Sequence, residues 1–143
     1  GVKSERIIFS PRLINSEHLQ RQMCADLFLD TFPICAHTTA SDALWVGLPI
    51  LTMSGKSMVS RVAGSALKNI GLEELITHSI REYKDKALYL ANNPKELNII
   101  KEKIISNRFN YPLFKTKEFT KNLEKVYVNL FDEFKDNYKS NKV

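Results

Sequence analysis

Three short apolar runs, each cut off by proline or glycine and spaced so that a helix fits between them, limit what this chain can fold into. Arg6-Ile7-Ile8-Phe9-Ser10 stops at Pro11, Asp26-Leu27-Phe28-Leu29-Asp30-Thr31 stops at Pro33, and Pro49-Ile50-Leu51-Thr52-Met53 stops at Ser54-Gly55. Apolarity alone does not separate a short strand from a piece of buried helix. The lengths and the Pro/Gly punctuation favour strands, and Pro49 is acceptable as the first residue of one. Between the runs, residues 16–25 and 39–46 read as helices. Ser16 is an N-cap residue followed by Glu17, with Leu19 and Met23 on one face. Thr39 fits an N-cap with Asp42 at N3, while Gly47 follows as a C′ stop and Pro49 bars continuation. Strand–helix–strand–helix–strand predicts a parallel sheet with right-handed crossovers.

The remainder reads as helix. Residues 59–70 end at Gly71, a short strand around Leu75 and Ile76 falls within 74–79, and helices follow over 81–92 and 94–108, with Pro94 suited to N1. After a break at Phe109-Asn110-Tyr111-Pro112 comes the firmest periodicity: Phe119, Leu123, Val126, Tyr127, Leu130, Phe131, Phe134 and Tyr138 form one apolar stripe. Lys117, Lys121, Lys125, Asp132, Glu133, Lys135 and Asp136 make its polar face. Trp45 and the aromatic residues of this last helix are expected in the core. No internal repeat and no linker divides the chain.

At 143 residues, 43% apolar and 26% charged, the composition is that of a globular domain and excludes disordered and collagen-like classes. The formal charge is +5, but residues 1–58 are balanced, so the excess lies downstream, interspersed with Asp and Glu as on solvated helix faces. No basic block interleaved with aromatics appears, so no nucleic-acid partner is expected. No apolar run approaches the roughly 20 residues of a membrane span, and residues 1–9 carry no signal-peptide core. Two cysteines, Cys24 and Cys35, make neither a disulfide framework nor a zinc cluster. A soluble cytoplasmic protein without membrane partner or metal is the expectation.

Chemistry concentrates in His37-Thr38-Thr39-Ala40-Ser41-Asp42, between the second run and its helix. In an open parallel sheet this is the carboxyl edge, where ligands bind. A helix N-terminus there offers free N–H groups to a phosphate, and Thr hydroxyls and an imidazole add donors. Asp42, one turn in, would suit ribose hydroxyls. The alternative is that Thr39 and Asp42 only cap a helix and His37 is a loop histidine. The second candidate is the loop after the first run, carrying Arg12, Asn15, His18 and Arg21. His18 and Arg21 share a helix face, so the imidazole could stack on a base while Arg21 pairs with phosphate, or both could simply face solvent. Phosphate-loop, dinucleotide-turn, H-E-x-x-H, G-x-S-x-G and Asp-x-Asp motifs are absent. Cys35 lies too close in sequence to His37 for a nucleophile–base pair.

Several blocks together carry a family resemblance: Ile7-Ile8-Phe9-Ser10-Pro11, Glu17-His18, Ala25 through Thr31, His37-Thr38-Thr39-Ala40-Ser41-Asp42-Ala43-Leu44-Trp45-Val46-Gly47-Leu48-Pro49, Ser60-Arg61-Val62-Ala63 and Pro112-Leu113-Phe114. The chain resembles the catalytic region of the O-linked N-acetylglucosamine transferase family, which includes SPINDLY-type enzymes and bacterial proteins with tetratricopeptide repeats. The resemblance implies an α/β fold: a partial Rossmann-like parallel sheet from the C-terminal half-cleft of a GT-B glycosyltransferase, followed by a long amphipathic helix. Residues 1–110 would be the nucleotide-sugar-binding portion, and 111–143 the helix packing across it or back towards a preceding domain.

The same resemblance implies the chemistry. N-acetylglucosamine would pass from UDP-GlcNAc to Ser or Thr hydroxyls of an acceptor protein, with inversion and without metal or other cofactor. His37, Thr38 and Thr39 would hold the pyrophosphate and Asp42 the ribose. His18 would lie against the uracil with Arg21 nearby, and backbone near Leu13 and Asn15 would meet the base edge. Family members often carry Ala-Pro-Lys where this chain has Leu13-Ile14-Asn15, so a lysine contact is missing. The general base, the other half of the cleft and the tetratricopeptide repeats would precede this chain, which alone would be inactive. Its final helix would cross back towards that missing half, leaving the apolar stripe partly exposed in this chain and promoting self-association. A relative using GDP-fucose or making an N-linked product, or a non-catalytic interaction module on the same fold, are the competing readings.

Overall fold

The computed structural model describes the backbone of residues 1–140 and the side chains through Asn137, so the Tyr138 side chain of the predicted stripe lies outside the described part. The elements run α1 (Asn15–Gln22), β1 (Phe28–Leu29), α2 (Thr38–Trp45), β2 (Ile50–Met53), α3 (Val62–Lys68), β3 (Ile76–Thr77), α4 (Ile80–Asn92), α5 (Pro94–Asn107) and α6 (Thr116–Ser140). The strands form a parallel sheet in the order β1-β2-β3, with Phe28 opposite Ile50, Leu29 opposite Leu51, Thr52 opposite Ile76 and Met53 opposite Thr77. β2 is buried at all four positions, as a central parallel strand covered on both faces must be.

The expected first strand is not one. Ser4–Arg6 is a 3-10 turn, and the following apolar residues lie open to solvent, Phe9 at 91% exposure. Ile7 makes a single backbone bond, to the Ser4 carbonyl, and no ladder forms beside β1. A β-branched run becomes a strand only when a neighbour takes its N–H and C=O groups, and among the described residues none is placed to do so. The third strand is Ile76–Thr77 instead, entered through a 3-10 turn at Glu73–Leu75.

Two glycine stops predicted from sequence are built alike. After α2, Gly47 has φ +87°, its N–H reaches the Leu44 carbonyl and the Leu48 N–H reaches Ala43. After α3, Gly71 has φ +74°, its N–H reaches Lys68 and the Leu72 N–H reaches Leu67. Both are Schellman closures, with an apolar residue just past the glycine folded back onto the helix. α3 itself is shorter than expected, because Met58–Ser60 forms a separate 3-10 turn before it.

Leu44, Ile50, Ala63, Leu67, Ile70, Leu72, Leu75, Leu90, Leu97, Ile100 and Ile104 form the core. In α2 the inward positions belong to Ala40, Ala43 and Leu44, which leaves Trp45 at the rim, 41% exposed and not in the core as expected. Its ring meets Phe114 edge-on at 5.2 Å, and the Arg108 guanidinium lies 5.1 Å from its centre. Arg108 Nη1 also donates to the Trp45 carbonyl at 2.6 Å, satisfying a carbonyl in the last turn of α2.

α6 packs on the turn Pro112–Phe114 and leaves its stripe in solvent, from Phe119 through Phe134, again contrary to a core placement. The periodicity was legible; the partner that would bury it is not among the described residues. A contiguous apolar face of this length favours association, so the chain is expected to scatter light as more than a monomer at high concentration. A clean monomer mass there contradicts this. No helix among the described residues is long and apolar enough to cross a membrane.

Candidate functional site

The site is built where β1 runs out. Asp30, the residue after β1, is 7% exposed and accepts three hydrogen bonds through its carboxylate. Oδ1 takes the N–H of Thr31 at 2.9 Å and that of Ala36 at 2.7 Å, and Oδ2 takes the Thr52 hydroxyl at 2.6 Å. The loop 31–36 is thereby closed on one carboxylate. Cys35 fastens it a second time, its N–H and its thiol both donating to the Val59 carbonyl at 3.0 and 2.9 Å. Tyr83 of α4 donates its hydroxyl to the Asp30 carbonyl at 2.9 Å. Burial, and secondarily the charge of Asp30, push the Tyr83 phenol above its ordinary value.

With the chain held to Ala36, α2 starts sooner than expected. His37, not Thr39, is its N-cap residue, and the His37 carbonyl accepts from Ala40 and Ser41. Thr39 is therefore at N2, and its side chain caps nothing; Asp42 lies two positions beyond N3 and makes no capping-box bond. The reading of this stretch as a self-capped helix start is thus corrected. The N–H groups of Thr38 and Thr39 have no protein acceptor, and both residues are exposed. A helix end with unmatched donors carries the positive pole of the helix dipole and is receptive to an anion. His37 turns Nε2 towards the Val59 carbonyl at 3.4 Å. Asp42 is half-buried on the next turn.

α1 packs against α2, so the two stretches singled out in the sequence are neighbours. α1 begins at Asn15, with Leu13 half-buried ahead of it, and ends at Gln22, earlier than expected. His18 is held on both sides. Arg21 Nη2 lies 3.0 Å from Nδ1, and since a guanidinium only donates, Nδ1 accepts and the ring proton sits on Nε2. The Gln22 amide lies 2.9 Å from Nε2. Turning the amide oxygen to the ring lets Nε2–H donate to it, and supplies a partner to a Gln22 Oε1 otherwise buried without one. Arg21 Nη1 donates to the Pro11 carbonyl at 2.8 Å. The imidazole is thereby held in orientation from both sides. Asn15 and Leu13 make no side-chain hydrogen bond. Among the described residues, no three His, Cys, Asp or Glu side chains gather in a way that would hold a metal ion.

Sequence reading missed Asp30 and Thr52 as parts of this site. The available signal was an acidic residue ending an apolar run at the carboxyl edge, a position where burial demands several donors at once.

A parallel sheet with an open helix end at its carboxyl edge, flanked by a helix that carries a clamped imidazole, defines an α/β domain of the Rossmann-like class, in which this edge is where ligands bind. Comparison with known proteins narrows this. The chain belongs to glycosyl transferase family 41, which it matches over residues 1–123. It is 40% identical over 134 residues to the Arabidopsis thaliana protein named probable UDP-N-acetylglucosamine–peptide N-acetylglucosaminyltransferase SEC, covering 92% of this chain and 14% of that one. It is 34% identical to the Caenorhabditis elegans UDP-N-acetylglucosamine–peptide N-acetylglucosaminyltransferase over 135 residues, 94% of this chain and 12% of the relative. Among solved structures it aligns with a mutant Thermobaculum terrenum O-GlcNAc transferase at a TM-score of 0.74 and 32% identity, covering 82% of this chain and 22% of that one. The chain thus spans about one seventh of the length of the curated relatives it matches.

Proposed function

We propose that this chain is the nucleotide-sugar-binding part of a protein O-glycosyltransferase that moves N-acetylglucosamine from UDP-GlcNAc to Ser or Thr hydroxyls. The observation that carries this reading is the open start of α2, where Thr38 and Thr39 present unpaired N–H groups at the carboxyl edge of the sheet. Support for the donor comes from relatives whose names specify UDP-N-acetylglucosamine and a peptide acceptor.

In such a transfer the acceptor hydroxyl attacks the anomeric carbon, the bond from that carbon to the diphosphate oxygen breaks, and charge grows on the departing diphosphate. His37 and the Thr38 and Thr39 N–H groups, at the positive end of α2, donate to that charge as it develops. This is stabilisation by oriented dipoles, and no metal step is part of the proposal. Asp42 accepts from the ribose hydroxyls. His18, fixed by Arg21 and Gln22, stacks on the uracil, and backbone at Leu13 and Asn15 meets the base edge. The base that takes the acceptor proton, the opposing half of the cleft and any tetratricopeptide repeats belong to the complete enzyme outside residues 1–143.

The test is His37→Ala and Asp42→Ala, each in the complete enzyme. Loss of one hydrogen bond to a charged or closely held group lowers affinity about ten- to hundredfold. UDP affinity and transfer to a protein acceptor are expected to fall by that amount with the circular dichroism unchanged. A panel of UDP- and GDP-sugars, read by the mass added to the acceptor, identifies the donor. Transfer unaffected by both substitutions sinks the assignment.

A further inference from the structure

We infer that Asp30 is a positioning residue for this site: its carboxylate sets the loop that delivers His37, Thr38 and Thr39 to the ligand. This rests on the reading of those three residues as the diphosphate cradle.

The hydrogen bonds run in one line across the sheet's carboxyl edge. The Thr77 hydroxyl, on β3, donates to the Thr52 carbonyl on β2 at 2.9 Å. The Thr52 hydroxyl donates to Asp30 Oδ2 at 2.6 Å, and Asp30 Oδ1 holds Thr31 and Ala36. The Asp30 N–H donates to the Leu51 carbonyl at 3.0 Å, and Tyr83 holds the Asp30 carbonyl from α4. β2 and α4 therefore bond directly to the residue that ends β1, β3 is tied in through Thr52, and the Asp30 carboxylate is separated from the cradle by the single step from Ala36 to His37.

Asp30 has no Lys, Arg or His ion-pair partner among the described residues, so donors alone compensate its buried charge. A buried carboxylate without such donors is strongly unfavourable. An apolar residue would fill the volume, but it would leave the Thr31 and Ala36 N–H groups without an acceptor and the loop 31–36 without its closure. What this side chain provides, and an apolar one does not, is one oxygen shared by two N–H groups five residues apart, with its second terminal atom anchored to β2. The loop cannot drift relative to the sheet while those bonds stand. Since a misplacement of about 1 Å in a group that acts on the transition state can lower turnover about a hundredfold, the anchor controls rate through residues it does not touch.

The test uses the complete enzyme with Asp30→Ala, Asp30→Asn, Thr52→Val and the His37→Ala control, measuring kcat and donor KM beside the melting temperature. In Asp30→Asn the amide oxygen still accepts from Thr31 and Ala36 and the NH2 group meets the Thr52 hydroxyl, so kcat stays within about threefold of the parent. Asp30→Ala lowers kcat about ten- to hundredfold with a smaller change in KM, because the donors it misplaces act most strongly on the charge of the departing diphosphate. Thr52→Val lowers kcat about three- to tenfold by releasing the second oxygen. The inference is overturned if folded Asp30→Ala turns over at the parental rate, or if Asp30→Asn falls as far as Asp30→Ala. Should Asp30→Ala not fold, Thr52→Val decides alone, and a parental kcat in that variant overturns the inference. His37→Ala with unchanged transfer overturns the cradle itself, whatever the Asp30 variants do.

Discussion

Leu44→Ala is expected to lose about 2–5 kcal/mol of stability, the range for emptying a fully buried leucine site. Leu44 has no exposed surface and sits on the inward face of α2 beside Ala40 and Ala43, which are already too small to close around a cavity. A small domain has only about 5–15 kcal/mol in all, so this one change removes a large share. It also loosens the helix whose first turn forms the ligand-receptive end, so ligand affinity should fall together with the urea midpoint. Urea denaturation with an unchanged slope is the measurement. Asp42→Ala is the contrast on the same helix: its half-buried side chain makes no hydrogen bond, so the change should shift stability by no more than about 0.5 kcal/mol. A loss below about 1 kcal/mol for Leu44→Ala would mean that α2 is not held by its packing.

Gly71→Val is expected to cost about 2–5 kcal/mol. The residue sits at φ +74°, which a side chain tolerates poorly and a β-branched one worst, and any Cβ there would lie 2.5 Å from the Tyr111 ring. Two effects add: the backbone strain of about 1–2 kcal/mol and the overpacking of the ring, typically 1–3 kcal/mol. Tyr111→Ala separates them. In that background the valine should cost about 1–2 kcal/mol, the strain alone. Equal losses in both backgrounds would remove the ring from the account.

How much of this was legible in the sequence depends on which interactions specify each part. Gly47 and Gly71 were readable because a helix stop is written locally, and both proved to be left-handed closures. The parallel order of β1 and β2 followed from the helix between them. Ile7-Ile8-Phe9 misled because a strand needs a neighbour, and the sequence of the run says nothing about who supplies it. Trp45 misled for a similar reason: its size suggested the core, but the helix had already committed Leu44 to that face. At the site, His18 and Arg21 came together as their spacing implied. The start of α2 moved from Thr39 to His37 because Asp30, seven residues upstream of His37, and Val59, in the 3-10 turn before α3, fix the chain to that point. Such long-range closures leave no periodic trace.

The rim position of Trp45 has an optical consequence. It is the only tryptophan in the chain, so all indole emission originates at the last turn of α2, against the Arg108 guanidinium and the rings of Phe109 and Phe114. An eight-residue helix is about 12 Å long, so that reporter sits one short rigid rod away from the Thr38 end. The molecule carries its own fluorophore on the helix proposed to receive the ligand, and the colour of its emission reads how firmly that rod is seated.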